Sequence, residues 1–219
     1  MTDAVPTQAR NLPLPTSPQT TIAGRTFIVT GANTGLGFEA AKHLALLGAS
    51  RVILAVRNPT AGLAAKQAIE EAILAAAGHD KPVVVEAWDL DLSRYESVRA
   101  FVARAERELE RIDGVVENAA VAASAVVGEK AEGHVLALTV NVFATFLLAV
   151  LLVPVMKAKR VASEGEVQRL AVVTSRAGFD VREEWEGIQG DIVGGIDASA
   201  LLKTWVSCSF TFFWLDSMS

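Results

Sequence analysis

Three glycines in the run TGANTGLG (30–37) are spaced to hold an anion: Gly31, Gly35 and Gly37. They fall where the apolar run RTFIVTG (25–31) stops and a helical pattern begins. At such a junction Gly31 permits a tight turn, and Gly35 lets the backbone approach a pyrophosphate. Gly37 lets the helix lie close to the strand, and the free N–H groups of the first helical turn face the anion. Asn33, Thr34 and Leu36 lie between the glycines and join them as expected cofactor contacts. Thr30 and Asn33 supply polar groups able to fix the loop.

A second signal follows at the end of the next apolar run. Twenty residues after Gly37, where an acid would accept hydrogen bonds from a ribose 2′-hydroxyl, stands Arg57. A guanidinium suits a 2′-phosphate instead, because its fork of N–H groups matches phosphate oxygens. The expected cofactor is therefore NADP(H).

These residues need a scaffold, and the pattern supplies one. Apolar, β-branched runs at 25–31, 51–56, 83–88, within 111–119 and at 169–175 read as buried strands. Helical patterns separate them: 35–48, with Leu36, Ala40, Leu44 and Leu47 on its apolar face; a long Ala-rich stretch opened by Pro59 and ending near Gly78; 94–110, with Ser93 and Glu96 spaced as a capping box; and 130–159, mostly apolar. Continuous apolar strands alternating with helices imply a parallel sheet covered on both faces. The fold expected is α/β, a doubly wound, Rossmann-type sheet in three layers. Residues 1–20, with four of the seven prolines, read as a loose arm, 21–196 as the nucleotide-binding domain, and 197–219 as an atypical apolar tail.

Composition narrows the partners. The chain has 219 residues, is 51% hydrophobic and carries a net charge of −5. That suits one domain with a sizeable core and argues against a nucleic-acid surface. One cysteine, Cys208, makes no internal disulfide, and the Pro- and Thr-rich N-terminus lacks a secretory pattern. Cytoplasmic localisation is expected. No run is expected to reach the roughly 18 apolar residues of a membrane span.

By these residues the chain resembles the short-chain dehydrogenase/reductase family, in particular its retinol-dehydrogenase-like branch in filamentous fungi, over about residues 22–195. The resemblance implies further site residues. Within DLDLS (89–93), Asp91 is the better match for the family's adenine-contacting aspartate, with Asp89 second; both also suit a loop that caps the next helix. ENAA (117–120) stands where the family has Asn-Asn-Ala-Gly. Asn118 and Ala119 are kept, while Glu117 and Ala120 depart. Asn118 would contact the nicotinamide ribose, tie adjacent strands, or do both. LTVNVFATFLL (138–148) matches the segment bearing a catalytic asparagine, here Asn141. VVTSRAG (172–178) matches the segment bearing the catalytic serine, here Ser175, which would orient a carbonyl or alcohol oxygen.

The family's acid/base pair, a tyrosine four residues before a lysine, is missing. The one tyrosine is Tyr95, far upstream of Ser175, and Lys203 has Ser199 four places before it. After about Ile196 the resemblance is lost. The apolar, aromatic tail reads either as a substitute strand or helix covering the sheet edge or, in better keeping with the abrupt change, as the product of a shifted frame or a retained intron. The resemblance thus implies NADP-dependent hydride transfer to or from a small carbonyl or secondary alcohol, as in fungal secondary-metabolite tailoring. The missing pair favours a nucleotide-binding chain with little turnover, or a truncated gene product. Five strands without the family's last two would leave an open edge. With the aromatic stretch WVSCSFTFFWL (205–215), that predicts self-association.

Overall fold

The computed structural model describes residues 22–76, 82–121, 128–160 and 167–174, and the backbone of 212–216. The elements run β1 (Thr26–Thr30), α1 (Gly35–Leu46), β2 (Arg51–Val56), α2 (Pro59–Ala75), β3 (Val84–Asp89), α3 (Tyr95–Glu108) and β4 (Gly114–Glu117). A two-stranded hairpin follows, β5 (Lys130–Ala131) and β6 (His134–Val135). Then come the long helix α4 (Leu136–Ala158), β7 (Arg169–Val173) and β8 (Phe212–Asp216).

The main sheet has the order β3-β2-β1-β4-β7-β8. Its first five strands are mutually parallel, as β-branched runs buried on both faces require. The chain leaves β3 at one edge and returns in β4 beside β1. The carboxyl ends of β1 and β4 therefore flank a crevice, the usual ligand position in such sheets. One face packs on α3 and α4 through a core that includes Ile28, Trp88, Phe101, Val115, Leu148 and Leu152. The other is covered by α1 and α2 through Val29, Val52, Leu54, Ala41, Ala45 and Ile69.

Four expectations need correction. The fully buried face of α1 is Gly37, Ala41 and Ala45, one position round from Leu36 and Ala40, while Leu44 packs partly buried against the core and Leu47 is buried as expected. Leu36 is 66% exposed, because glycine and alanine let the helix sit closer to the sheet than leucines would. The apolar stretch from 130 does not start as a helix. Lys130–Val135 forms the hairpin, turned by Glu132 and Gly133, both at positive φ (51° and 87°). The capping box at Ser93 and Glu96 does not form. Arg94 stands at the N-cap of α3, and the Tyr95 N–H donates instead to Glu132 Oε1 at 2.8 Å. The carboxylate at that positive helix end thus comes from the hairpin turn. Finally, α4, with 23 residues, is long and apolar enough to cross a membrane. Here its buried face, including Leu148, Leu152 and Val155, packs into the core under the sheet.

The expected open edge beyond β7 is also corrected. The backbone of Phe212–Asp216 pairs antiparallel with β7, from Arg169↔Asp216 to Val173↔Phe212. Most of the apolar tail, the N-terminal arm and Ser175 lie outside the described residues.

Candidate cofactor site

The crevice at the carboxyl ends of the strands is a cavity of about 360 Å³, within the roughly 300–1,000 Å³ of small-molecule sites. Three segments build it. The first is the loop Gly31–Leu36 between β1 and α1. The Gly31 N–H donates to the Ala55 carbonyl at 2.8 Å, stitching the loop to β2. Gly31 has φ +65°, and a Cβ there would lie 2.9 Å from Ala119 Cα. Gly35 has φ +59° and open space where a side chain would stand, so the backbone is bare toward the cavity. Gly37 does not line the cavity. A Cβ on it would come within 2.5 Å of Asn118 Nδ2 and 2.6 Å of the Gly31 carbonyl oxygen, so its bareness lets α1 close on the loop. Asn33, Thr34 and Leu36 all line the cavity. Thr34 is the N-cap of α1, and its side chain makes no capping hydrogen bond.

The second segment is the β4 exit, Asn118–Val121. Thr30 Oγ1 accepts from the N–H groups of Asn118 and Ala119, both at 2.9 Å. Asn118 Nδ2 donates to the Thr30 carbonyl at 3.1 Å. Asn118 therefore both ties β1 to β4 and lines the cavity. Beyond it, the Val121 N–H donates to Asn141 Oδ1, and Asn141 Nδ2 donates to the Val121 carbonyl, each at 2.9 Å. Asn141 lies in the π-helical stretch Thr139–Ala144 of α4. Its amide is spent on holding the wall, and its neighbour Val140 is the α4 residue that lines the cavity. Thr145 Oγ1 donates to the Val140 carbonyl at 2.9 Å, satisfying a group in the widened turn.

The third segment, Leu90–Ser93, carries Asp91. Asp91 Oδ1 accepts from the Ser93 N–H at 2.9 Å and the Ser93 hydroxyl at 2.7 Å, while the Asp91 N–H donates to Ser97 Oγ. The aspartate thus shapes the approach to α3 while facing the cavity. Asp89, the last residue of β3, is exposed and not in the lining. Arg57 is exposed at the rim, one residue beyond β2, and makes no ion pair among the described residues. Ala55, Leu90, Leu92 and Val140 add an apolar surface for a flat ring, a lining that the glycine spacing alone does not reveal.

The residues present fit a dinucleotide. A bare loop and helix N-terminus face one stretch, a cation stands at the rim, and a carboxylate and apolar side chains stand opposite. Tyr95 is not part of this site. It lies at the start of α3 beside Arg99, Phe143 and Phe146, in a separate shallow groove. Burial, and then the Glu132 carboxylate, push its phenol above the ordinary value, the reverse of what a proton-exchanging phenol near neutral pH requires.

The short chain dehydrogenase family matches residues 25–186. A short chain dehydrogenase/reductase of Cryptosporiopsis sp. is 43% identical over 148 residues, covering 68% of this chain and 43% of that protein. One of Aspergillus flavipes is 36% identical over 197 residues, covering 90% and 56%. The chain spans about half the length of the curated relatives it matches. Among solved structures, L-sorbose reductase from Gluconobacter frateurii, complexed with NADPH and L-sorbose, has a TM-score of 0.52 at 26% identity, covering 63% of this chain and 49% of that one. A metagenomic short-chain oxidoreductase in complex with NADP has a TM-score of 0.51 at 30% identity, covering 64% and 58%. A glycine-bare phosphate loop on a doubly wound sheet, and a family match over most of the length, have one reading: the chain belongs to the short chain dehydrogenase family of NAD(P)-using oxidoreductases.

Proposed function

We propose that this chain forms the nucleotide half of an NADP(H)-dependent oxidoreductase acting on a small carbonyl or secondary alcohol. The observation that carries the cofactor choice is Arg57: a guanidinium without an ion-pair partner among the described residues, at the cavity rim, where an acid would select NAD(H). Gly31–Leu36 would take the pyrophosphate, Asp91 the adenine side, and Asn118 the nicotinamide ribose. Bound there, the cofactor would supply or accept the hydride. Asn141 acts on this site by pinning Val121, and Ser175 would orient the substrate oxygen. By resemblance to fungal members of the family, the reaction would be a secondary-metabolite tailoring step. Fluorescence titration with NADPH and NADH tests the reading. Tighter binding of NADPH is expected, and equal affinities would overturn the choice of cofactor.

A second reading, nucleotide binding without turnover, is favoured by Tyr95. The one tyrosine stands outside the cavity, and no tyrosine precedes Lys203 by four residues. A carbonyl-substrate screen following NADPH absorbance separates the two. General acid–base groups contribute typically 10²–10⁴-fold, so the chain alone is expected to turn over slowly or not at all. Robust turnover abolished by Ser175→Ala would overturn the second reading.

A further inference from the structure

One buried titratable group is left unused by this site. Glu117 ends β4, immediately before the cavity wall Asn118–Val121, and is 3% exposed. Among the described residues neither carboxyl oxygen has a hydrogen-bond partner. Val115, two residues earlier on the same strand, packs into the core under α3 and α4, so Glu117 shares that face.

Among the described residues no countercharge meets it. On its own strand and approach, the charged pair Arg111–Asp113 lies at the opposite end. On one side β1 (TFIVT) contains no ionisable residue, and Thr30 is its end nearest Glu117. On the other side Glu117 pairs with Val172, and the one ionisable residue of β7, Arg169, pairs with Gly114 three places back. The α4 sequence has no ionisable residue before Lys157, near its far end. The buried residues of α3 are Val98, Phe101, Val102 and Ala105, with its charges outside. Glu39, Lys42 and His43 of α1 lie across the sheet. Burial therefore pushes the Glu117 carboxyl well above the usual range and keeps it neutral.

An ionised carboxylate in this place would need water or a partner, and the wall Asn118–Val121 follows it directly in the chain. That wall is held at its start by the three hydrogen bonds to Thr30 and at its end by the two to Asn141. We infer that Glu117 is a proton switch under the nucleotide wall: protonated, it leaves Asn118–Val121 in place to receive the cofactor; ionised, it opens that wall and releases the cofactor. The release follows from linkage, since a ligand that binds the closed wall also holds the proton on Glu117.

The nucleotide arm of this inference rests on the function proposed above; the wall arm does not. The sign is fixed by the raised carboxyl. The native chain keeps a proton that the unfolded chain gives up in the ordinary carboxylate range. Stability is therefore full below that range and is lost as pH rises toward the folded value. Glu117→Gln keeps the shape without the titration, and Glu117→Leu provides an apolar control should the amide perturb packing.

The experiment measures amide hydrogen exchange over Asn118–Val121 without ligand, and NADPH affinity, from about pH 6 to about pH 9 in all three proteins. The cofactor's own phosphate, with a second pKa of about 6, affects all three alike, so the difference between profiles is read. In the unmodified chain, wall exchange is expected to accelerate beyond its chemical pH dependence. Affinity is expected to fall by up to about tenfold per pH unit relative to the variants. Parallel profiles for both exchange and affinity would overturn the switch while leaving nucleotide binding intact. No NADPH binding by any of the three at low pH, with wall exchange still dependent on Glu117, would instead overturn the function and its nucleotide arm and keep the wall switch.

Discussion

Gly35 and Gly37 are two residues apart and do different work, which two alanines would separate. At Gly37 a methyl meets Asn118 Nδ2 and the Gly31 carbonyl well inside contact distance. Gly37→Ala should lower stability by about 1–3 kcal/mol, the usual cost of overpacking, read as a drop in melting temperature without ligand. At Gly35 a methyl meets nothing, but φ is +59° and the methyl would occupy the approach to the phosphate. Gly35→Ala should cost about 1 kcal/mol of stability through backbone strain, with a further weakening of NADPH binding. Equal effects of the two variants on both readouts would refute this division. Arg57 acts on the ligand alone, being exposed and without an ion pair among the described residues. Arg57→Asp should weaken NADPH by roughly 1.5–3 kcal/mol, the range of charge-assisted hydrogen bonds, and leave the melting temperature unchanged. A variant that still prefers NADPH over NADH would show that another group reads the 2′-phosphate.

At the level of elements, the site depends on two parts that touch no phosphate. The π-helical stretch of α4 presents Asn141 to the backbone of Val121, and both halves of its amide are used. Asn141→Leu should leave the Val121 N–H and carbonyl unpaired, at about 1–3 kcal/mol, and should loosen the wall. Faster amide exchange at Val121 would be its mark, and unchanged exchange would show that the pair is incidental. The hairpin β5–β6 sends Glu132 to the first N–H of α3. Glu132→Ala removes a carboxylate from a helix N-terminus, worth about 0.5–2 kcal/mol. Because Glu132 also helps hold the Tyr95 phenol high, the same substitution should lower the Tyr95 pKa, measurable by ultraviolet titration of the single tyrosine.

At the scale of the molecule, the sheet among the described residues ends at β8, an antiparallel strand on a parallel sheet. Removing residues 212–219 would bare the N–H and carbonyl groups along β7, and a bare strand edge pairs with other chains. The shortened chain should aggregate at lower concentration and melt earlier. Its NADPH affinity should stay within a few-fold, because the described cavity is built from β1–β4, the loops that follow them and the start of α4. Light scattering and a thermal melt decide it. A shortened chain as soluble and as stable as the full one would show that β8 contributes nothing to the sheet.

Much of this was legible in the sequence, and the pattern of misses is physical. Strand runs buried on both faces leave a signal that survives without tertiary context, so β2 falls at 51–56 as read and the sheet class follows. The tight turn at Gly31 and the bare backbone at Gly35 were legible because the spacing of glycines against a strand end constrains backbone shape directly, and both glycines have positive φ. Asp91 reads two ways in the sequence, and the structure keeps both, as loop organiser and as cavity lining. The failures concern partners distant in sequence. Which carboxylate reaches the N-terminus of α3 depends on a hairpin 37 residues away, not on the local Ser-x-x-Glu spacing. Which face of α1 is inner depends on how closely it approaches the sheet, and there Gly37 and Ala41 displace Leu36, while Leu44 and Leu47 still reach the core. Glu117 in the sequence is a departure from a family pattern. The fold makes it a buried carboxyl without a partner, because its environment is assembled from β1, β7, α3 and α4, which the chain brings together only when it closes.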